Sequence, residues 1–561
     1  MELTATIGIG VLLLWGVGYF LYGKWLDRKI VKPDPEKETT AVRMHLKDPV
    51  NFTPVNKWVL YAYSFPSIAA IGPIYGPTLG AMWGWLPILL YIIIGNIFLG
   101  TVQDYLSLAL SERHGAATMM KVASEEINPK VARPFYFVYL FGIISVGFYP
   151  MLGMLMQAYP MTGTVTILFL FISILFGLMV SKMRIDRRIS TIVCLALSGL
   201  AFYVAWLFPI SLPSWAWIVV MQLYAFIGAL LPWDMLIEPR QHLTVYYLWG
   251  LMILGFIALI VKPLSLGAGF PMFQLTPTLA AYGPLWPMLF STCLCGALSV
   301  HPLIHSTQTV RMLSNEKHML LASYGAMSSE GTQALLVLAA VLHLPYTLFS
   351  ELVKTAGPLG TFTYGFGDLL TAVGIPLELG IILGGFWCVT FVADMDAGRK
   401  SYAITLAEAF KWDISKWKYN ILANGIHLVV QTFLCFVFSL AFLVGSFGGI
   451  NRGYAALFAY SFLMWLLKEK KPTWFIWPHI IFLLPTSLGV CVYLIYRDVI
   501  GLLPKIGTPG LTLTVIGDAI GAIAVSIIMT AVFLYITWQW WKAYQKEKSA
   551  QRASAGAIVA E

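Results

Sequence analysis

Apolar runs of about twenty residues, separated by short polar and often basic stretches, make up most of this chain. A helix needs about 20 mostly apolar residues to cross the hydrocarbon of a bilayer. The pattern predicts fifteen spanning helices, at roughly 3–23, 57–73, 85–112, 133–157, 161–181, 190–208, 214–232, 241–262, 285–300, 318–343, 377–397, 420–445, 452–467, 474–497 and 511–541. A further helical piece at about 358–373 is too short to span. The expected class is an all-α polytopic membrane protein.

Two spans are interrupted. Gly72-Pro73-Ile74-Tyr75-Gly76-Pro77 follows the apolar run from Trp58 to Ile71. Proline lacks a backbone donor and clashes with the preceding turn, so a helix cannot pass both Gly-Pro pairs undisturbed. Each backbone group freed in hydrocarbon costs several kcal/mol unless protein, water or a ligand satisfies it. Gly72 lies fifteen residues beyond Lys57, about 22 Å along a helix, whereas Pro66 is nearer the centre. The sequence leaves open which is the unwinding point. The second interruption is Leu231-Pro232-Trp233-Asp234.

Segments 57–209 and 214–397 each hold five spans, and each opens with an interrupted helix. Five is odd, so the second set starts from the opposite side, which is the topology of a five-plus-five inverted repeat. Interrupted helices at matching positions of two halves point to a transporter's binding site. The expected organisation is a terminal helix and cytoplasmic linker (1–56), a transport core (57–416), peripheral helices (417–541) and a polar cytoplasmic tail (542–561). The first apolar segment lacks a basic leader and a small-residue cleavage site, so it is expected to be a retained helix.

Composition agrees: 58% of residues are hydrophobic and 11% charged, against about 25% charged in a soluble domain. With the N-terminus outside, 31 of the 36 Lys and Arg residues fall in the inner loops and tail. Lys262, Lys354, Arg452, Arg497 and Lys505 fall outside. Inner loops are enriched in Lys and Arg, so the net charge of +9 reads as topology, with no nucleic-acid partner. The expected location is the cell inner membrane, with a cytoplasmic C-terminus. Cys194, Cys293, Cys295, Cys388, Cys435 and Cys491 all sit in apolar segments and read as small core residues. His301 and His305 have ligand spacing, but Pro302 lies between them, and no metal site is assigned.

Charged groups inside the bilayer are costly and need a reason. Asp104, beside Gln103, lies two turns before the inner end of its helix. Glu238 and Arg240 follow the second interruption, and Asp394 and Asp396 end the eleventh span. Asp518 lies in the last. Glu330 sits in Ser328-Ser329-Glu330-Gly331, about three turns from the nearest basic residue in sequence, His318. A buried carboxylate can carry a proton, bind a cation or pair with a base. Ser291 to Ser299 is small and hydroxyl-rich, suited either to close packing or to ligating sodium or substrate.

Several of these residues carry a resemblance. Asn56-Lys57-Trp58-Val59-Leu60, Ile71-Gly72-Pro73-Ile74, Gly76-Pro77 and Val102-Gln103-Asp104 resemble the carbon starvation protein A (CstA) family. So do Cys295-Gly296-Ala297-Leu298-Ser299 with His301, Asn315-Glu316-Lys317, and Tyr324-Gly325-Ala326-Met327 with Glu330. Leu231-Pro232 with Glu238-Pro239-Arg240, and Met395-Asp396-Ala397, are similar to two further blocks. The resemblance spans about 50–410. It implies a LeuT-like inverted-repeat core and uptake of peptides, or of pyruvate with protons. The chain departs from the family at Tyr63 and Ser64, where members commonly carry two histidines, and no role for those histidines transfers. Gln241 stands where an Asp usually follows Pro-Arg, and Thr307-Gln308-Thr309-Val310-Arg311 is altered.

The leading expectation is a secondary transporter importing short peptides by alternating access, coupled to protons or sodium, with no other cofactor. A symporter of pyruvate or another small carboxylate is the alternative. A channel or a membrane redox enzyme using His427 and His479 belongs to other classes, and a scaffold or sensor is the least supported. No P-loop occurs, and no catalytic residue is expected. The candidate binding set begins with Lys57, Ser64, Pro66, Gly72, Pro73, Gly76 and Pro77 on the first interrupted helix. Gln103 and Asp104 join it, as do Pro232, Trp233, Asp234, Glu238 and Arg240 near the second interruption. Ser299, His301, Glu330 and Asp396 complete it, with Glu330 or Asp104 carrying the proton. Sequence leaves the oligomeric state open.

Overall fold

The computed structural model describes residues 2–49, 51–69, 71–144, 148–277, 283–293, 300–390 and 392–560. These form helices, with two isolated β-bridges and no strand among them. Nine helices among the described residues are long and apolar enough to cross a membrane. In hydrocarbon a helix satisfies every backbone group within its own segment, which is why long apolar runs take this form.

In chain order the helices used below are α1 (Leu3–Val31), α2 (Lys57–Ile68), α3 (Gly72–Gly80), α4 (Trp85–Arg113), α5 (Ala132–Ile144), α6 (Phe148–Ala158), α7 (Pro160–Ser181), α8 (Arg187–Leu207), α9 (Ser214–Leu230) and α10 (Ile237–Val261). They continue as α11 (Leu285–Thr292), α12 (Val300–Thr307), α13 (Glu316–Leu342), α14 (Gly357–Leu370), α15 (Leu377–Val389), α16 (Val392–Phe410), α17 (Trp417–Val437), α18 (Leu440–Lys468), α19 (His479–Lys505) and α20 (Leu513–Ala560). At the entry to α2 the Asn56 side chain accepts from the backbone N–H groups of Trp58 and Val59. Such a cap satisfies donors that the first turn cannot use.

The first interruption is real and lies between Pro66 and Gly72. The chain leaves helical geometry at Ala69 and re-enters a helix at Gly72. Gly72-Pro73 therefore opens α3, where a missing N–H costs nothing because first-turn donors have no helical partner. Pro77 sits inside α3 and Pro66 inside α2. The second interruption also differs. Residues 231–236 join two whole helices, α9 and α10. A different pair faces the first break: α12 packs on α2, and α11 packs on α3. The two broken helices thus run antiparallel, and α13, the most deeply buried candidate span, packs along both α2 and α3.

Arg452 is a further correction. Asn451-Arg452 lies within α18, so Arg452 is a buried helix residue and not part of an outer loop. The five described cysteines are buried and unbridged, and Cys295 lies outside the described residues.

Candidate functional site

Asp104 on α4 points at two histidines on α12. Its Oδ2 lies 3.2 Å from His301 Nδ1 and 3.4 Å from His305 Nε2. The other ring nitrogen of His301, Nε2, lies 3.8 Å from Glu330 Oε2 on α13. All four side chains are buried. Pro302 does not prevent the alignment, because it falls in the first turn of α12, where proline is tolerated. Positions four apart share a helix face, so one short helix aims both rings at a single carboxylate.

The cluster connects to the first broken helix. His305 Nδ1 lies 3.3 Å from Thr309 Oγ1, which lies 3.3 Å from Ser64 Oγ on α2. Position 64 is thus linked to the acid–histidine cluster through Thr309. Tyr61, also on α2, sits 2.7 Å from Ser329 Oγ and accepts from the indole N–H of Trp249 at 3.0 Å. Gln241, on α10, donates to Ser67 Oγ at 2.9 Å. One face of α2 is therefore lined with polar groups drawn from α10, α13 and the turn that follows α12.

Arg452 supports the second broken helix. Its Nε donates to the carbonyl of Phe290 at 2.8 Å and its Nη2 donates to the carbonyl of Cys293. These carbonyls belong to the C-terminal end of α11, which has no helical donors left and carries partial negative charge. A buried guanidinium satisfies both needs. Sequence reading missed this role because Arg452 is more than 150 residues away and read as a loop cation.

The expected residues fall into two clusters and several that lie apart from both. Gln103, Asp104, His301 and Glu330 lie in or beside the cluster, with Ser64 linked to it through Thr309. Arg240 and Asp396 form a second, separate pair: Arg240 Nη2 donates to Asp396 Oδ1 at 2.7 Å, and the Tyr224 hydroxyl donates to Oδ2 at 2.6 Å. Glu238 is bound by Arg187 at 2.6 and 3.3 Å, away from both sites. Trp233 lies under the Lys400 ammonium, 4.2 Å from its ring centre. Pro232 is half-buried and Asp234 exposed on the link between α9 and α10, and Lys57 is exposed at the start of α2. Ser299, and the side chain of Asp394, lie outside the described residues. Asp518 accepts from the Ser439 backbone N–H at 3.0 Å, and His479 Nε2 lies 2.9 Å from the Leu99 carbonyl. Both are packing contacts between helices.

The family model described as "Carbon starvation protein CstA" matches residues 4–411. The chain belongs to the CstA family. It is 29% identical over 387 residues to the peptide transporter CstA of Campylobacter jejuni, covering 66% of this chain and 54% of that one. It is 29% identical over 392 residues to the peptide transporter CstA of Bacillus subtilis, covering 66% and 64%. The pyruvate/proton symporter BtsT of Escherichia coli is also 29% identical, over 361 residues, covering 61% and 50%. This CstA-family chain spans between half and two thirds of the length of these relatives. They are transporters, not enzymes.

A solved structure of the Eremococcus coleocola manganese transporter superposes with a TM-score of 0.50 at 12% identity, covering 89% of this chain and 99% of that one. That likeness extends to the fold alone. The family match stops at residue 411, so Arg452 supports the core of the match from outside it.

Proposed function

We propose that this CstA-family chain is a secondary transporter that imports short peptides across the inner membrane by alternating access, coupled to protons. One observation carries the reading: His301 sits between two buried carboxylates, Asp104 and Glu330, beside a helix that breaks inside the membrane. Such an array can hold one proton and pass it between carboxylates through the two nitrogens of a single ring. The break between α2 and α3 interrupts a helix beside this cluster, and broken helices are where transporters commonly bind their substrates. The peptide transporters among the relatives supply the substrate class.

The core in this proposal is a LeuT-like inverted repeat whose leading helices are the broken pairs α2–α3 and α11–α12. In this reading the first half is the five-helix segment 57–209. The second half starts at α11, because the antiparallel partner of the first broken helix is there. Its N-terminus lies outside and its C-terminus in the cytoplasm, following the Lys/Arg asymmetry.

A second reading is import of pyruvate or another small carboxylate. It is favoured by the equal identity, 29%, to a pyruvate/proton symporter. Vesicles loaded with the purified chain, under an imposed pH gradient, separate the two readings. Saturable, gradient-dependent uptake of labelled di- and tripeptides supports the first, and uptake of pyruvate alone supports the second. Uptake that ignores the pH gradient ends the proton proposal, and large passive ion currents would assign a channel.

A further inference from the structure

Around residues 396–400 of α16 the described side chains bury more positive than negative charge. Arg240, Arg399 and Lys400 are all buried there, with Asp396 as the buried carboxylate described among them. Two of the three cations have clear compensation. Arg240 pairs with Asp396. The Lys400 ammonium donates to the Leu231 carbonyl at 2.7 Å and lies over the Trp233 ring. Among the described residues, Arg399 hydrogen-bonds only to neutral groups. Its Nη2 donates to Gln222 Oε1 and reaches the Tyr149 hydroxyl at 3.5 Å. Its Nε and Nη1 are buried and without a hydrogen-bond partner.

Two further polar groups lie around it, and the Gln222 side chain also faces the Cys435 thiol. Gln222 Nε2 has no partner of normal hydrogen-bond geometry, and neither has His427 Nδ1 on α17. An unpaired buried guanidinium is among the most costly arrangements in a fold. A planar, two-pronged anion relieves that cost best, because the guanidinium fork matches a carboxylate in shape. Gln222 also lines a groove of about 390 Å³ between α9 and α17, walled by Val219, Leu223, Leu428, Val429 and Phe433. Leu223, Val429 and Phe433 are each about half or more exposed, so the groove opens outward between the two helices.

We propose that Arg399 and Gln222 form a binding site for a carboxylate anion, separate from the acid–histidine cluster, with His427 as a further donor. The two sites share no residue, so the failure of one leaves the other standing. The carboxylate comes either from a small soluble acid or from a fatty acid whose tail occupies the groove.

The test uses the full chain in lipid nanodiscs, with thermal unfolding followed at constant ionic strength set by a bulky sulfonate. Sodium acetate, decanoate and chloride are titrated separately, with decanol as the tail-only reference. The expected result is saturable stabilisation by acetate, with its apparent Kd weakened at least tenfold in Arg399→Gln and less in Arg399→Lys. Decanoate saturating at tenfold lower concentration than acetate, with decanol inert, assigns a bilayer acid. Equal concentrations assign a soluble one. Chloride acting as well as acetate would overturn the carboxylate assignment. So would acetate stabilisation that is absent in the wild type or unchanged in Arg399→Gln. Should that variant not fold, Gln222→Leu keeps the charge and is expected to weaken acetate severalfold; unchanged affinity there overturns the site equally.

Discussion

Arg452 Nε donates to the carbonyl oxygen of Phe290 at 2.8 Å, tying α18 to the end of α11 across 162 residues of chain. A charge in a peripheral helix thus finishes a helix of the core. Removing it takes a charged donor from two carbonyls, and a lost hydrogen-bond partner of this kind costs about 1–3 kcal/mol. Arg452→Gln is expected to lower the unfolding temperature of the purified chain by several degrees, and Arg452→Lys by less. An unchanged melting curve for Arg452→Gln would show that the contact supports nothing.

The acid–histidine cluster makes a sharper demand. Asp104→Asn and Glu330→Gln each keep the shape of the side chain and remove its ability to ionise. Each is expected to reduce pH-gradient-driven uptake at least tenfold while leaving substrate exchange across the membrane measurable. His301→Gln is expected to behave alike, because the ring joins the two carboxylates. Gradient-driven uptake that survives in both carboxylate variants would remove them as proton carriers.

Close helix packing sets a third expectation. A Cβ on Gly365 of α14 would lie 2.0 Å from the Ala340 backbone carbonyl of α13. Backbone cannot swing aside as a side chain can, so the helices must part. Overpacking of this kind costs about 1–3 kcal/mol. Gly365→Ala should melt several degrees lower than the wild type. Gly398, which has open space where its Cβ would be, supplies the control, and equal losses in both variants would refute the packing argument.

His114, just beyond the inner end of α4, should make stability depend on pH. Its Nδ1 lies 2.6 Å from Glu125 and its Nε2 3.0 Å from Glu126. Ionised carboxylates only accept, so both ring nitrogens must donate, which is the imidazolium form. The hydrogen bond to Glu126 raises the His114 pKa above 6.5; burial opposes it, and Glu125 adds to the rise. A raised folded-state pKa stabilises fully below 6.5, and that contribution is lost as pH climbs through the raised value. Melting temperatures taken from pH 6 to pH 8.5 should therefore fall more steeply in the wild type than in His114→Gln. Parallel slopes would exclude the linkage.

Hydrophobic spacing alone was enough to read the membrane class, most helix positions and the first broken helix, because a bilayer leaves an apolar run of twenty residues few alternatives. Asp104 and Glu330 were legible for the same reason: a carboxylate in such a run demands an explanation. Their shared partner His301 was visible only as half of a histidine pair and as a family-like residue, since its role depends on α12 and α13 meeting at α4. The Gly-Pro pairs marked the right helix and left the turn open between Pro66 and Gly72. Proline starts a helix as readily as it ends one, and only the backbone on both sides decides which. The partner of that broken helix, the place of Arg452 beneath α11 and the uncompensated charge of Arg399 were decided by tertiary structure. Each joins residues far apart in the chain, and local sequence carries no record of which distant carbonyl or charge a side chain will meet.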